Sequence, residues 1–304
     1  MTRVAGIDCG TNSIRLLVAD VHPETGELIE LDRRMTIVRL GQGVDRTGRL
    51  APEALERTFA ACRAYAEVIR ELGAARVRFV ATSASRDAEN RQDFVDGVVE
   101  ILGVEPEVIT GDQEAAFSFT GATGELHGDD RRLVVDIGGG STEFVVGNKD
   151  VEAARSVDIG CVRLTERHVR HDPPTAEEAD AIRADVRAAL DLAAETVPID
   201  TAETLVGLAG SVTTVAAIAL GLPEYDSEKV HHSRITAAQV AEVTERLLAS
   251  THDERAAIPV IHPGRVDVII AGALVLREIV ERVGAREVVV SEHDILDGIA
   301  LSVA

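Results

Sequence analysis

The chain has 304 residues, with 31 Lys plus Arg against 52 Asp plus Glu, so its formal net charge is −21 at pH 7. A chain this acidic is not a general nucleic-acid binder, because affinity for a phosphate backbone depends on clustered basic side chains. The 45% apolar content supplies one large core or two ordinary ones.

Neither export nor metal-thiolate chemistry is indicated. The start, MTRVAGIDCGTNS, has no apolar signal-peptide core, and the uncharged run 205–222 contains hydroxyl residues and glycines, which favours a buried strand, turn and helix over a membrane span. Cys9, Cys62 and Cys161 lack the spacing of a disulfide framework or a zinc site. We therefore expect a cytoplasmic protein with no membrane or nucleic-acid partner.

Short apolar runs alternate with longer segments of helical periodicity, which is the pattern of an α/β fold. Over residues 52–72, Pro52 just inside the start and Gly73 just past the end are typical helix limits. This segment therefore predicts a helix that covers a sheet.

An internal repeat with an offset of 128 residues organises the chain. It relates two sets of residues: Asp8, Gly10 and Ser13 in the first copy, and Asp136, Gly138 and Ser141 in the second. Apolar strands flank both sets, so each copy predicts a β-hairpin. Segments 79–85 and 207–213 align at the same offset.

We predict two similar α/β domains, residues 1–123 and 124–304, with the active site in the cleft between them. Segment 294–304 has a helical pattern, and the sequence leaves open whether it packs on the first domain or on the second.

The first hairpin turn, DCGTNS (loop 1, residues 8–13), has the composition of a phosphate cradle. Gly10 allows close approach of the main chain, while Thr11, Asn12 and Ser13 add side-chain donors. An ordinary hairpin turn is the alternative interpretation.

The matching segment, DIGGGSTE (loop 2, residues 136–143), is more specific. Three successive glycines between buried strands forfeit side-chain packing, which close approach of a ligand would explain. Asp136 and Glu143 bracket the glycines and are suited to holding Mg²⁺ beside phosphate oxygens. The alternative is that both carboxylates only cap turns.

In VITGDQEAAFSF, a strand ends at Gly111 and Asp112 is the predicted N-cap of a helix. Glu114 then lies in the first turn, where a carboxylate can accept a proton from an attacking water. A first-turn Glu that merely complements the helix dipole has the same sequence pattern.

Two further segments are candidate ligand contacts. Arg86, just after a strand, could clamp a phosphate or form a surface ion pair. Gly210 and Ser211 form a turn that could meet a nucleotide or further phosphates, or could be a simple strand–helix crossing. His231 and His232 favour a solvated turn; Lys229 and Arg234 nearby leave a polyanion contact as the alternative, and metal binding lacks a third ligand.

The motifs DCGTNS, TSASRDAEN, ITGDQEA, DIGGGSTE and GLAGSVTT occur in this order over nearly the whole chain. The chain thereby resembles the exopolyphosphatase and guanosine pentaphosphate phosphohydrolase family, in its short two-domain form. That family belongs to the actin, sugar-kinase and heat-shock ATPase superfamily. The resemblance implies two actin-like (ribonuclease H-like) domains.

The resemblance also implies roles for individual residues. Glu114 corresponds to the family's catalytic base, Asp136 and Glu143 to its essential carboxylates, and Arg86 to its phosphate-contacting arginine. Two phosphate loops are implied by the following residues: Thr11, Asn12 and Ser13 in loop 1, and Gly138, Gly139, Gly140, Ser141 and Thr142 in loop 2. Mg²⁺ and a homodimer are further implications.

These observations lead to the hypothesis of a Mg²⁺-dependent hydrolase that releases terminal orthophosphate from short inorganic polyphosphate. Hydrolysis of guanosine pentaphosphate uses the same chemistry and is the nearest alternative. An ATP-dependent phosphotransferase and a non-catalytic polyphosphate or alarmone sensor are the others. Two departures from the family pattern, Asp112-Gln113 and SEHDILDG near the end, bear on substrate preference.

Overall fold

The computed structural model describes residues 1–126, 128 and 130–303. The chain divides into two compact units: unit 1 comprises Met1–Gly124 and the segment from Asp294 onward, and unit 2 comprises Glu125–His293. The sequence-based boundary lies one residue earlier, and the predicted second domain, 124–304, extends too far. Its last segment packs in unit 1, although residue 304 lies outside the described residues.

Unit 1 contains a five-stranded sheet in the order β3-β2-β1-β4-β5. Its strands are β1 (Thr2–Cys9), β2 (Ser13–Val21), β3 (Leu28–Ile37), β4 (Arg76–Ala81) and β5 (Glu107–Val108). Its helices are α1 (Val44–Thr47), α2 (Pro52–Leu72), α3 (Ser83–Asp87), α4 (Arg91–Leu102), α5 (Gly111–Thr123) and the C-terminal α13 (Ile295–Leu301). β1 to β3 are antiparallel, whereas β4 and β5 run parallel to β1.

Unit 2 contains a six-stranded sheet in the order β10-β11-β9-β6-β7-β8. The strands are β6 (Arg132–Ile137), β7 (Thr142–Gly147), β8 (Val151–Val157), β9 (Thr204–Leu208), β10 (Arg234–Thr236) and β11 (Glu287–Val290). The helices are α6 (Cys161–His168), α7 (Ala176–Ala194), α8 (Ala209–Ala219), α9 (Ser227–Val230), α10 (Ala237–Ala249), α11 (His252–Ala256) and α12 (Ile269–Val283), with short 3-10 turns at Ile199–Thr201 and Pro263–Arg265.

The two sheets share one topology. Each sheet begins with three antiparallel strands, β1–β3 in unit 1 and β6–β8 in unit 2. Two further strands, reached through helices, lie parallel to the first strand of each set: β4 and β5 in unit 1, β9 and β11 in unit 2. Unit 2 adds β10 at the edge. β1–β2 and β6–β7 are the two predicted hairpins. The predicted fold class, two similar α/β domains, is therefore confirmed.

Local sequence explains the elements that support the loops. α2 spans the predicted residues, and its buried face, which includes Leu55, Cys62 and Ile69, packs on Ile14 and Leu16 of the sheet. Each such large apolar side chain contributes roughly 1.5–3 kcal/mol when removed from water.

The C-terminal helix α13 packs against α5, β1 and β2, and buries Leu296, Ile299 and Ala300. Gly121 and Gly298 permit this contact, because a Cβ on either would fall about 2 Å from the backbone of the facing helix segment. The close α5–α13 packing is what assigns the end of the chain to unit 1.

The uncharged run 205–222 forms the predicted buried strand and helix, β9 and α8. Among the described helices, none combines the length and apolar character needed to cross a membrane.

Candidate active site

Loop 1 is held by its carbonyl groups. The Thr11 carbonyl accepts a hydrogen bond from the Gly41 N–H (2.9 Å), and the Asn12 carbonyl accepts from the N–H groups of Val38 and Arg39. In a trans peptide the N–H points opposite to the C=O. The N–H groups of Asn12 and Ser13 therefore point away from segment 38–41, in the orientation of an anion-binding nest.

The side chains of loop 1 differ in availability. The Thr11 hydroxyl is hydrogen-bonded to the Ser83 hydroxyl at 2.8 Å. The Asn12 amide nitrogen is buried and has no acceptor within the described chain. Because an unsatisfied buried donor costs free energy, Asn12 is the stronger candidate for a contact with a phosphate oxygen.

Asp8 lies opposite Arg15 in the β1–β2 ladder. Its Oδ2 atom accepts hydrogen bonds from the Arg15 Nε (3.0 Å) and Nη2 (2.7 Å) atoms, whereas its Oδ1 atom is buried without a partner in the described chain. Arg15 also donates to Asp294, next to the start of α13. Burial raises the pKa of Asp8, and the Arg15 charge offsets part of that rise.

The N-cap of the helix that carries Glu114 lies two residues earlier than predicted. Thr110, not Asp112, is the N-cap of α5: its hydroxyl accepts from the Gln113 N–H, and the Gln113 side chain accepts from the Thr110 N–H. This capping box satisfies two helix-end donors, which Asp112 inside the first turn does not. Glu114 nevertheless stays in the first turn, with only 8% of its surface exposed.

Arg86 and Glu114 are brought together in unit 1. The Arg86 Nη1 atom donates to the Ile109 carbonyl (2.9 Å) and to Glu114 Oε2 (3.3 Å). The sequence-based alternative for Arg86, a surface pair with a near neighbour, did not anticipate this partner. A guanidinium beside a carboxylate favours the ionised form, which is the form that a general base requires.

Loop 2 is also held by its carbonyl groups. The Gly138 carbonyl accepts from the Cys161 N–H (3.0 Å), and the Gly139 carbonyl accepts from the next two N–H groups of α6. The N–H groups of Gly139 and Gly140 consequently point away from α6.

Gly160, which the sequence analysis missed, makes this arrangement possible. A Cβ there would lie 2.2 Å from the Gly139 carbonyl oxygen, so no larger residue fits without moving the loop. Its only sequence signal is a glycine before a helix, which is common at an N-cap.

Asp136 and Glu143 lie directly opposite each other in the β6–β7 ladder, and both are buried. Glu143 Oε1 accepts a hydrogen bond from the Ser156 hydroxyl at 2.7 Å. Two like charges in facing positions repel each other, and carboxylate oxygens are the ligands that Mg²⁺ prefers. The donor set therefore fits a divalent cation.

The remaining predicted residues of loop 2 have different environments. Ser141 is buried, and its carbonyl accepts from the Gly138 N–H across the turn. Thr142 is fully buried and its hydroxyl donates to the Ile159 carbonyl, so this side chain anchors the loop.

The turn at Gly210 and Ser211 carries a cation that sequence reasoning missed. The Arg265 guanidinium lies so close to Gly210 that a Cβ there would be 1.9 Å from Cζ. Ser211 packs instead against Gly272 of α12 and interacts with Cys161. The Arg265 guanidinium, from a distant 3-10 turn, thus occupies the space beside Gly210, and a Cβ at this position would displace that side chain.

The expectation for His231 and His232 was wrong, because a third group does join them. The His231 and His232 rings are stacked, with 3.7 Å between their centroids, and the centroid of the His293 ring lies 4.5 Å from that of His231. Glu125 Oε2 is 3.2 Å from His231 Nε2. However, the Glu292 N–H donates to His231 Nδ1, which places the ring proton on Nε2. A metal-bound imidazole normally donates through its other nitrogen, so the cluster is better suited to hydrogen bonding than to metal binding.

Each unit thus contains a glycine-containing turn whose N–H groups have the orientation of an anion-binding nest. The model of the Ppx/GppA phosphatase family matches residues 17–304. The chain belongs to this family and is an enzyme of the phosphatase class.

Known relatives agree with this assignment. Exopolyphosphatase 2 of Mycobacterium tuberculosis is 52% identical, with 100% of this chain and 99% of the relative covered. A guanosine-5'-triphosphate,3'-diphosphate pyrophosphatase of Photobacterium profundum is 35% identical, with 71% of this chain and 43% of the relative covered.

Solved structures are similar over the whole chain. An exopolyphosphatase-like protein superimposes with a TM-score of 0.95 at 45% identity, covering 99% of this chain and 98% of the other. The Ppx/GppA family member of Aquifex aeolicus superimposes with a TM-score of 0.81 at 32% identity. The superposition covers 99% of this chain and 97% of the other.

Proposed function

We propose that this chain is an exopolyphosphatase that releases orthophosphate from the end of short inorganic polyphosphate. The observation that carries the proposal is the Arg86–Glu114 pair, in which a buried carboxylate in the first turn of α5 lies 3.3 Å from a guanidinium nitrogen. The full-length similarity to a relative named exopolyphosphatase 2 supports the choice of substrate.

In the proposed reaction, Glu114 accepts a proton from a water that attacks the terminal phosphorus. The P–O bond to the rest of the chain breaks, and the shortened polyphosphate departs with the bonding electron pair. The N–H groups of loop 1, together with Asn12, stabilise the charge on the transferred phosphoryl oxygens. The proton on Glu114 then passes to solvent, which restores the base.

Asp136 and Glu143 are the residues that would hold Mg²⁺. When bound, this ion would supply positive charge beside the phosphate oxygens. In unit 1, Arg86 is the proposed phosphate-contacting cation, and 26% of its side chain is exposed.

The test is orthophosphate release by the unmodified protein and by Glu114→Gln. Removing a positioned general base should lower kcat by roughly 100-fold or more, with little change in KM. Asp112→Asn is the matched control, because Asp112 is an exposed acid in the same helical turn. Equal activity of Glu114→Gln and the unmodified protein would exclude Glu114 as the base.

Guanosine pentaphosphate is the second candidate substrate, favoured by the relative from Photobacterium profundum. A higher kcat/KM for this nucleotide than for polyphosphate would select it. Phosphate transfer from ATP to an acceptor without release to water would indicate a phosphotransferase, and binding without turnover would indicate a sensor. From the family resemblance we also propose a cytoplasmic homodimer, which light scattering would test for assembly.

A further inference from the structure

The Arg163 side chain contacts the main chain of loop 2. Its Nε atom donates to the Gly140 carbonyl at 2.7 Å, and only 13% of the side chain is exposed. Arg163 lies in the first turn of α6, and its own N–H is one of the three that hold the Gly138 and Gly139 carbonyls. The sequence analysis did not identify it.

This contact determines the direction of one more loop donor. Since the Gly140 carbonyl points towards Arg163, the N–H of the same peptide, which belongs to Ser141, points the opposite way. The three peptides from Gly138 to Ser141 therefore present their N–H groups on the side away from α6. Main-chain N–H groups orient the first two of these peptides, and a side chain orients the third.

Unit 1 achieves the same orientation without a side chain. At the 128-residue offset, Gly140 corresponds to Asn12, whose carbonyl accepts from the main-chain N–H groups of Val38 and Arg39. In loop 2 the corresponding role falls to a guanidinium, which also brings a positive charge next to the turn.

We propose that Arg163 is a positioning residue, which holds the Gly140 carbonyl so that the Ser141 N–H is aimed at a phosphate oxygen. This inference rests on the proposed function in taking loop 2 as a phosphate site. Arg163 acts through the loop and needs no contact with the substrate itself.

The first test compares polyphosphate hydrolysis by Arg163→Met, Arg163→Lys and the control Arg167→Met. Arg167 lies one turn further along α6 and pairs with Asp185 instead of the loop. Misdirecting one donor to a developing anion should lower kcat of Arg163→Met by about 10- to 100-fold, with KM changed far less. Arg163→Lys should recover part of this loss, because an ammonium group can still donate to a carbonyl, and Arg167→Met should retain full activity.

The second test does not depend on turnover. We expect the Ser141 amide resonance to differ between the unmodified protein and Arg163→Met, and its response to inorganic phosphate to be lost in that variant but kept in Arg167→Met. Equal phosphate responses of the Ser141 amide in the unmodified protein and Arg163→Met would overturn the proposal, as would unchanged kcat. If the unmodified protein released no phosphate, the proposed function would fail, and the amide response would still decide the role of Arg163.

Discussion

At the scale of single residues, the two hairpins differ at one decisive position. Asp8 and Asp136 are equivalent under the 128-residue repeat, but Asp8 faces Arg15 and Asp136 faces Glu143. In the pair of Asp8 and Arg15, the two side chains carry opposite charges. In the pair of Asp136 and Glu143, both side chains are carboxylates. A divalent cation is therefore proposed for unit 2 alone.

This difference predicts opposite effects of Glu143→Gln on activity and on stability. Without a divalent cation, removing one of two facing carboxylates should raise the free energy of unfolding by about 0.2–1 kcal/mol. The Mg²⁺ concentration for half-maximal activity should rise by about tenfold or more, because the substitution removes one of the two proposed Mg²⁺ ligands.

Thermal unfolding in chelator and activity at controlled free Mg²⁺ would measure both effects. Asp150→Asn, at an exposed turn residue, is the control. A Glu143→Gln protein that is less stable in chelator and unchanged in its Mg²⁺ dependence would contradict the account.

At the scale of elements, the start of α6 and the glycine turn of loop 2 act as one structural piece. Gly160 allows the Gly139 carbonyl to approach, and the N–H groups of α6 hold the turn. The orientation of the loop donors therefore depends on an element that follows the loop by about twenty residues.

Gly160→Ala should disturb this packing. With a Cβ 2.2 Å from backbone, the loop has to shift, and kcat/KM should fall by at least about tenfold, since a displacement near 1 Å can cost about 100-fold. Gly124→Ala serves as control, because its Cβ would make an ordinary contact at 3.5 Å. Normal activity of Gly160→Ala in a steady-state assay would show that the loop tolerates the shift.

Elements that depend on local pattern could be predicted from the sequence. α2 was placed residue for residue, because Pro52 and Gly73 mark its limits locally. Arg163 and Arg265 were missed because their contacts with Gly140 and Gly210 arise only from tertiary packing. The misplaced cap of α5 has a local cause: Thr110 and Asp112 both suit an N-cap, and the signal that favours Thr110 is Gln113 three residues later, the sequence pattern of a capping box.

At the scale of the whole molecule, the acidic composition shapes substrate binding. A net charge of −21 repels a polyanion at long range, and salt screens that repulsion as well as local attraction. At fixed free Mg²⁺, we expect KM for polyphosphate to change little between low and moderate salt. A steep rise in KM would show that direct cationic contacts dominate binding.

The buried core should make the protein sensitive to alkali. Burial raises the pKa of Cys62 from 9.0 to about 12 and that of Tyr65 from 10.0 to about 12. Between about pH 9 and 12 the folded state then holds protons that the unfolded state has lost, so stability falls as pH rises, by up to about 1.4 kcal/mol per pH unit for each group.

Urea unfolding from pH 8 to 11 would measure this dependence. Cys62→Ala should lower stability at all pH values through the cavity that it leaves, yet flatten the alkaline slope. An unchanged slope would mean that the Cys62 thiol does not contribute.

Glu114 is proposed to activate water for polyphosphate hydrolysis. The most direct measurement is the rate of orthophosphate release from tripolyphosphate and, separately, from guanosine pentaphosphate, for the unmodified protein, Glu114→Gln and Asp112→Asn. The account predicts the higher kcat/KM with tripolyphosphate, a loss of roughly 100-fold in Glu114→Gln and none in Asp112→Asn. A higher kcat/KM for guanosine pentaphosphate would contradict the proposal that polyphosphate is the substrate. Full activity of Glu114→Gln would contradict the proposal that Glu114 is the general base.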